Sequence, residues 1–473
     1  MYCGYIVELK NGRKHSNADR LKCYEIFGQN VITDLTYNDG DAVVYFPSDG
    51  QLSEEYCIDN KLTKIYKPLN ECTDEEKTKQ IVVKDGVECV NVGGYLEPDK
   101  RNIKAVKLRG EQSDGIVMHL ESLSKYTDIS KLKVGEQITT LDGHEICRKY
   151  IPKRRHRSSN SDGSIDSKKK NKKEEKFTVS YPNFVEHVDT EQLAYNEKAF
   201  HEGDLIYITR KCHGSSQRFS NTLEYTKRKP NFFEKLFHIP VRSKRKYVEV
   251  SGTRRITLRD YDGGYYGNNA FRHQWHEFFS GKVPKGMEVY FEVCGWVNET
   301  TPIMPSVSNS KIKDKAFTKQ YGEQTIFTYG CEPGKSRIFV YRITMANEDG
   351  VTIELPTEQC IRWCEMWGCE FVPVLDKFFY TTWEDLNARV NKWLDIPEPL
   401  ADGKHIVEGV VCRIDNRNTF KAYKAKSIGF KILEGLIKEE AIEPDMEEAQ
   451  EVDYGDDNID DSSDGTDENN TNN

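Results

Sequence analysis

Asp204-Leu-Ile-Tyr-Ile-Thr-Arg-Lys-Cys-His-Gly-Ser-Ser-Gln-Arg218 is the stretch on which the reading of this chain turns. Residues 204–209 form an apolar run rich in β-branched and aromatic side chains, which predicts a strand. Lys211 follows at the strand's end, with a small-residue turn at Gly214 and Arg218 beyond it. A lysine so placed can present its amine to a bound phosphate. An amine withdrawn from water beside other cations also loses its proton readily enough to act as a nucleophile. That is the chemistry a covalent lysyl-nucleotide requires. The other reading of residues 211–218 is an exposed turn, and the segments downstream decide between the two.

Those segments are Tyr290-Phe-Glu-Val-Cys-Gly295, Ile338-Phe-Val-Tyr-Arg-Ile343, Glu408-Gly-Val-Val-Cys-Arg413 and Phe420-Lys-Ala-Tyr-Lys-Ala-Lys426. Carboxylates at strand ends can hold ribose hydroxyls and a divalent cation, an aromatic ring can stack on a purine, and paired lysines can neutralise a triphosphate. Taken in order, the five segments resemble the motif set of the covalent nucleotidyltransferases: RNA ligases, DNA ligases and mRNA capping enzymes. The resemblance implies that Lys211 attacks the α-phosphorus of ATP and carries AMP as a phosphoramidate. It implies that Glu292 contacts the ribose, that Phe339 or Tyr341 packs on adenine, and that Glu408 stands near a catalytic metal, Mg2+ or Mn2+. Lys424 and Lys426 would lie on the phosphates, with Arg218 as a further cation of the ATP site. Arg254 and Arg255, in Ser251-Gly-Thr-Arg-Arg255, resemble the basic pair that touches the sugar or an incoming 5′-phosphate.

Two positions depart from the common pattern. His213 stands two residues after the lysine, where many ligases carry an acidic residue or asparagine, and Lys-x-His-Gly resembles the Deinococcus-type RNA ligases. Arg210 occupies a place commonly acidic, which shifts the expected reading of adenine towards backbone groups.

With 473 residues the chain predicts two or three domains. Residues 1–147 carry short apolar or alternating segments, including residues 31–35, 42–46 and 104–108, between glycine-marked turns. That spacing predicts a small all-β barrel. His15-Ser-Asn-Ala-Asp-Arg-Leu21 and Leu108-Arg-Gly-Glu-Gln-Ser-Asp-Gly-Ile-Val-Met118 resemble the OB-type module that precedes the ligase domain in the Deinococcus-type enzymes, which implies nucleic-acid binding. Residues 148–176, rich in Lys, Arg and Ser, read as a basic flexible linker. Residues 177–435 alternate strands, such as 246–251, 288–293 and 406–412, with helices at 357–367 and 383–394. Thr382 reads as the N-cap of the second helix, with Asp385 at its third position. This predicts an α+β nucleotidyltransferase (adenylyltransferase) domain of antiparallel sheets. Residues 436–473 read as an acidic disordered tail.

The charge supports this division. The net charge is −9, yet the fifteen acidic residues from Glu439 onward, with no basic residue among them, leave a body of +6. Thirteen scattered cysteines without Cys-x-x-Cys pairs suit a reducing compartment. Cys360, Cys364 and Cys369 are read as buried thiols, with zinc as the other option. No apolar run of about 18 residues occurs and the N-terminus lacks a signal pattern. The expectation is a cytoplasmic monomer without membrane contact, with the nucleus as the other location open in a nucleated host.

The function expected is an ATP-dependent RNA ligase that joins 3′-hydroxyl and 5′-phosphate ends at nicks, through lysyl-AMP and an adenylated 5′ end, as in RNA repair. Its partner would be RNA or an RNA-containing duplex. Two alternatives stay open: a noncatalytic RNA-binding protein with a degenerate ligase domain, and a capping-type guanylyltransferase.

Overall fold

The computed structural model describes residues 2–150 and 177–440, apart from 80, 85, 185, 188–189, 230–236, 238–242, 255, 259–260, 262–265, 267–268 and 313. Arg255, most of the basic linker and the tail from residue 441 therefore lie outside the described residues.

The first unit is all strands and short turns, with one brief helix at Glu54–Asp59. Its principal strands are β1 (Gly4–Glu8), β2 (Ala42–Phe46), β3 (Ala105–Leu108), β4 (Glu111–Asp114), β5 (Ile116–His119) and β6 (Gln137–Ile138). Strand β2 has an unbroken apolar sequence because both of its faces are covered. Val44 and Phe46 join one core with Ile6, Leu52 and Tyr56; Val43 and Tyr45 join another with Tyr24 and Val117. The order β5-β2-β1-β6 makes a four-stranded antiparallel sheet, and β3 and β4 form a separate hairpin. No sheet among the described residues closes on itself, so the single closed barrel expected from the turn spacing is replaced by several small sheets. Strand β6 meets β1 through only two paired positions, Gly4 with Ile138 and Tyr5 with Gln137, too short a ladder to carry a sheet round to closure.

The two phrases singled out in this unit meet in space. His15 Nε2 lies 3.1 Å from the Leu108 carbonyl, the Ser16 N–H donates to Glu111 Oε1 at 2.8 Å, and Asn17 Nδ2 donates to the Arg109 carbonyl at 3.1 Å. They hold one another, so part of their polar character is spent inside the unit.

The second unit contains β7 (Leu205–Lys211), β8 (Ser215–Arg228), β9 (Lys244–Gly252), α1 (Ala270–Phe279), β10 (Met287–Gly295), β11 (Ser336–Ala346), α2 (Thr357–Trp367), β12 (Glu370–Phe371), β13 (Val374–Phe379), α3 (Trp383–Asn391), β14 (Gly409–Ile414), β15 (Ala422–Lys426) and α4 (Ile428–Glu440). An eight-stranded sheet has β9-β8-β10-β11 at its centre, and a five-stranded sheet runs from the strand Glu191–Gln192 through β15, β14 and β7 to β13. Pairing is antiparallel except where Glu191–Gln192 meets β15 and where β12 meets β11.

Each sheet buries one face under helices. The larger packs Phe219, Val289 and Phe291 against Phe271 and Phe279 of α1 and Cys360 and Trp367 of α2. The smaller packs Ile206, Ile208, Val410 and Cys412 against Leu386 and Val390 of α3. Helix α2 ends where Gly368 adopts φ 75°, and α3 begins where Thr382 Oγ1 accepts from the Asp385 N–H at 3.2 Å. Cys360 and Cys364 are buried thiols and Cys369 is half-buried. Among the described residues no three His, Cys, Asp or Glu side chains are grouped to hold a metal ion.

Helix α4 crosses the expected boundary at residue 435 because Leu436 still packs against the larger core. It also faces the first unit, where Lys431 Nζ donates to Asp114 Oδ2 at 2.6 Å. The seam between the units is closed further by an ion pair between Lys107 and Asp314 and by Tyr195, whose ring lies 4.6 Å from Tyr5 and 5.1 Å from Phe27. No helix among the described residues is long and apolar enough to cross a membrane.

Candidate active site

Between the two sheets lies a cavity of about 640 Å³. Alternation along the strands decides what lines it. On the smaller sheet Ile208, Val410 and Cys412 turn outward to the core, so Thr209, Lys211, Val411, Arg413, Lys424 and Lys426 turn inward. The register brings them together: Lys211 pairs with Gly409 and Gly409 with Lys426, while Thr209 pairs with Val411 and Val411 with Lys424. On the larger sheet Ser216, Glu292 and Tyr341 complete the opposite wall.

Two glycines make this closeness feasible. A Cβ on Gly409 would stand 2.1 Å from the Ala425 carbonyl oxygen, and one on Gly214 would stand 2.4 Å from that of Val293. Without a side chain, Gly214 comes near enough for its N–H to donate to Glu292 Oε1 at 3.1 Å, which orients that carboxylate.

Glu408 is the electrostatic centre. It is 2 % exposed, with Oε1 2.8 Å from Lys211 Nζ and 3.7 Å from Lys426 Nζ. A carboxylate removed from water needs such partners. Its Oε2 has no hydrogen-bond partner and lies 3.9 Å from His213 Nδ1. Lys426 is held from its other side by Glu434 of α4, with both oxygens at 2.8 Å. Lys424 has its amine pushed down to about 8, first by burial and then by Lys426 and Lys211. His213 sits edge-on to Phe327 and Phe430 at 4.7 and 4.8 Å, and burial lowers its pKa, so its ring is neutral at pH 7.

The predicted residues divide as follows. Lys211, Glu292, Tyr341, Glu408, Lys424, Lys426 and Arg254 all line the cavity. Arg218 does not. It is buried beneath the wall, donating from Nε to the Thr253 carbonyl at 2.8 Å, pairing with Glu288 at 3.2 Å and covering the Phe184 ring at 3.9 Å. Phe339 is fully buried in the core of the larger sheet, with Tyr329 at 6.0 Å. Its separation from Tyr341 follows from a bulge: Tyr290 pairs with Arg342 and Phe291 with Val340, so the register skips Tyr341, which turns to the cavity. There its hydroxyl lies 3.3 Å from Ser216 Oγ.

Several lining residues escaped the sequence reading. His187 has its ring near those of Tyr290 and Tyr341 at 5.0 and 5.5 Å, and its pKa is held well below the usual value by burial and by Arg342. No motif marked it. Phe420, beneath the Arg342 guanidinium at 4.3 Å, opens a segment already recognised, so its aromatic ring was an available signal. Arg413 is buried on the same wall and gives Nη2 to the Leu355 carbonyl at 2.6 Å. Arg210, which the sequence did mark as a departure, lies beside Glu398 at 3.8 Å and donates to the Trp393 carbonyl at 3.2 Å.

No family model and no curated protein sequence matches the chain. Among solved structures it is similar to a Naegleria gruberi RNA ligase mutant with ATP and Mn, at 15 % identity and a TM-score of 0.50, covering 90 % of this chain and 98 % of that one. It also aligns with an RNA ligase mutant from the same organism with AMP and Mn (15 % identity, TM-score 0.49) and with that ligase with PPi (15 % identity, TM-score 0.48), each covering 90 % of this chain and 97 % of the other. The first likeness extends over both units and shows that the chain shares the fold of that Naegleria protein.

Proposed function

We propose that this chain is an ATP-dependent RNA ligase. The observation that carries the reading is the grouping of Lys211, Glu408, Lys424 and Lys426 on one wall of a single cavity, with Lys211 Nζ 2.8 Å from the buried Glu408 carboxylate. The fold shared with an RNA ligase supports it.

Lys211 gives up its proton, with Glu408 the acceptor in reach, and its Nζ attacks the α-phosphorus of ATP; the bond to the bridging oxygen breaks and pyrophosphate leaves. Lys424 and Lys426 balance the phosphate charge during that displacement. Tyr341 offers a ring to adenine, with His187 and Phe420 beside it, and Glu292 faces the ribose. Arg254, and Arg255 next to it in sequence, are assigned to the sugar or the incoming 5′-phosphate. AMP then passes from Lys211 to the 5′-phosphate of a strand, and a 3′-hydroxyl displaces it to close the nick.

A divalent cation, Mg2+ or Mn2+, fits the donor set, because Glu408 Oε2 is buried without a hydrogen-bond partner and such ions take one or two carboxylates together with phosphate oxygens. Bound there, it would draw charge from the reacting phosphate. The first unit, built of several small sheets, is assigned to nucleic acid, where a repair enzyme needs lesion-directed, sequence-tolerant binding.

Incubation with α-labelled ATP and Mn2+, followed by denaturing electrophoresis, tests the reading. The protein should take up label, and label from ATP should exceed label from GTP. Absence of any covalent adduct would leave a noncatalytic RNA-binding protein; preference for GTP would move the chain to the capping enzymes.

A further inference from the structure

His187 lines the cavity without belonging to any motif, and one neighbour fixes its chemical state. Arg342 Nη1 lies 2.9 Å from His187 Nδ1, and a guanidinium has no lone pair with which to accept. Nδ1 is therefore the acceptor, and in the neutral ring the proton sits on Nε2. Burial opposes a second proton, as do Arg342, Arg254 and Arg218. Arg342 is itself anchored: its Nε donates to Glu354 Oε2 at 2.9 Å, its Nη2 pairs with the same carboxylate, and its guanidinium covers the rings of Tyr290 and Phe420 at 4.6 and 4.3 Å. The His187 backbone N–H donates to the Arg254 carbonyl at 3.0 Å, which holds the main chain as well.

Register places this group at the end of the cavity away from the nucleophile. Gly409 pairs with both Lys211 and Lys426, and four residues further along β14, about 13 Å at the rise of a strand, Arg413 pairs with Ala422. The Arg413 guanidinium lies 5.7 Å from the Phe420 ring, and the His187 ring lies 6.1 Å from Phe420 and 5.5 Å from Tyr341. A nucleotide whose phosphate meets Lys211 carries its base towards this aromatic end. We propose that the Nε2–H of His187 donates to a ring nitrogen of the adenine base, which makes His187 a specificity-determining residue of the nucleotide site; the assignment rests on the ligase reading above. Among the described residues no hydrogen bond engages Nε2, and the shape of the imidazole directs its N–H away from Arg342. Arg210 is committed to Glu398 and the Trp393 carbonyl, which leaves the base to other readers. Adenine presents unprotonated nitrogens at N1, N3 and N7, whereas N1 of guanine carries a hydrogen and would set donor against donor, leaving a desolvated N–H unpaired.

The experiment compares the full chain with His187→Asn and His187→Gln, their folding checked by thermal melting. Asparagine reaches only the Nδ1 position, where it can still accept from Arg342; glutamine carries an amide N–H to the Nε2 position. Formation of the covalent lysyl-nucleotide is followed against the concentration of ATP, of its 1-deaza, 3-deaza and 7-deaza analogues, each with one ring nitrogen replaced by C–H, and of 2′-deoxy-ATP. The parent should bind one deaza analogue about tenfold more weakly than ATP. His187→Asn should bind ATP about tenfold more weakly and treat that analogue as it treats ATP, with His187→Gln restoring most of the preference. The sensitive nitrogen identifies the edge of the base that meets His187, and sensitivity at N1 carries with it exclusion of GTP that is relaxed in His187→Asn. A parent indifferent to all three nitrogens, a folded His187→Asn that keeps the parent's preference, or a defect of His187→Asn that vanishes with 2′-deoxy-ATP overturns the proposal. If the parent takes no label from ATP, the ligase reading fails, and equilibrium binding of ATP and the three analogues to parent and His187→Asn then decides the contact alone: equal binding throughout overturns it.

Discussion

The two walls of the cavity differ in kind. The five-stranded sheet supplies charge: Lys211, Arg413, Lys424 and Lys426 point inward from three adjacent strands. The eight-stranded sheet supplies shape and hydrogen bonds through Ser216, Tyr341 and the oriented Glu292. Neighbouring cations on one surface repel each other, and they are tolerable here because Glu408 and Glu434 are interleaved among them. The arrangement teaches that reaction chemistry and ligand fit are carried by separate layers, so substitutions should separate them too.

The largest effect tests the charged wall. Lys211→Ala should reduce covalent labelling by ATP to background, and an adduct that persists would place the nucleophile elsewhere. Next comes Glu408→Gln, which removes the carboxylate bridging Lys211 and Lys426; single-turnover labelling should fall about a hundredfold, as for loss of a positioned acid or base. On the other wall, Phe339 and Tyr341 should behave oppositely. Phe339→Ala leaves a void in the core and should cost about 3–5 kcal/mol in chemical denaturation, whereas Tyr341 is half-buried at the core's edge, so Tyr341→Ala should cost less and raise the apparent ATP dissociation constant about tenfold. Equal stability losses at the two positions would erase the distinction between core and cavity.

A pH series sharpens the contrast further. Lys424 titrates near 8 in the folded chain, below its ordinary value in the unfolded one. Between those values the unfolded state binds more protons, so the penalty for holding Lys424 charged is full below pH 8 and is relieved as pH rises towards 10.5, making its contribution to stability grow with pH. Phosphate binding should run the other way, weakening above pH 8 as the amine neutralises, and Lys424→Arg should flatten that dependence when pyrophosphate affinity is measured. The smallest effect lies on the far side of the charged sheet, where Thr382→Ala should cost about 1 kcal/mol through loss of the α3 cap, with labelling by ATP unaltered.

Much of the charged wall was readable from the chain because its residues sit at fixed offsets on strands whose alternation is strict. Lys211 closes an apolar run, and Lys424 and Lys426 share a face two residues apart. Helix α2 spans Thr357–Trp367 as its periodicity predicts, and α3 starts at its predicted cap while stopping at Asn391. Strand β14 begins at Gly409, three residues later than expected, because Ile406 and Val407 pair with residues 396–397 and not with the sheet: Ile406 bridges to Pro397, and the Val407 N–H donates to the Ile396 carbonyl at 3.0 Å. What could not be read depends on partners distant in sequence. Phe339 and Tyr341 have the same two-residue spacing as Lys424 and Lys426, and only the pairing with β10 shows that a bulge parts them. Arg218 follows the lysine closely, yet Glu288 and Thr253 claim it. The seam between the units rests on Lys431 of α4 and Asp114, which are far apart in the chain.

That bulge in β11 has a mechanical consequence. A regular ladder can slip by one step and pair again, exchanging its two faces wholesale. With one supernumerary residue, β11 matches β10 in a single alignment, since any slide would leave the extra residue opposite a regular position and strand Phe339 away from its core. The strand is therefore keyed, and its tolerance is to changes of side chain more than to changes of length. Removing Tyr341 itself should leave every pair with β10 in place and erase the key, whereas removing a paired residue of β11 shifts the frame of every residue on one side of the gap.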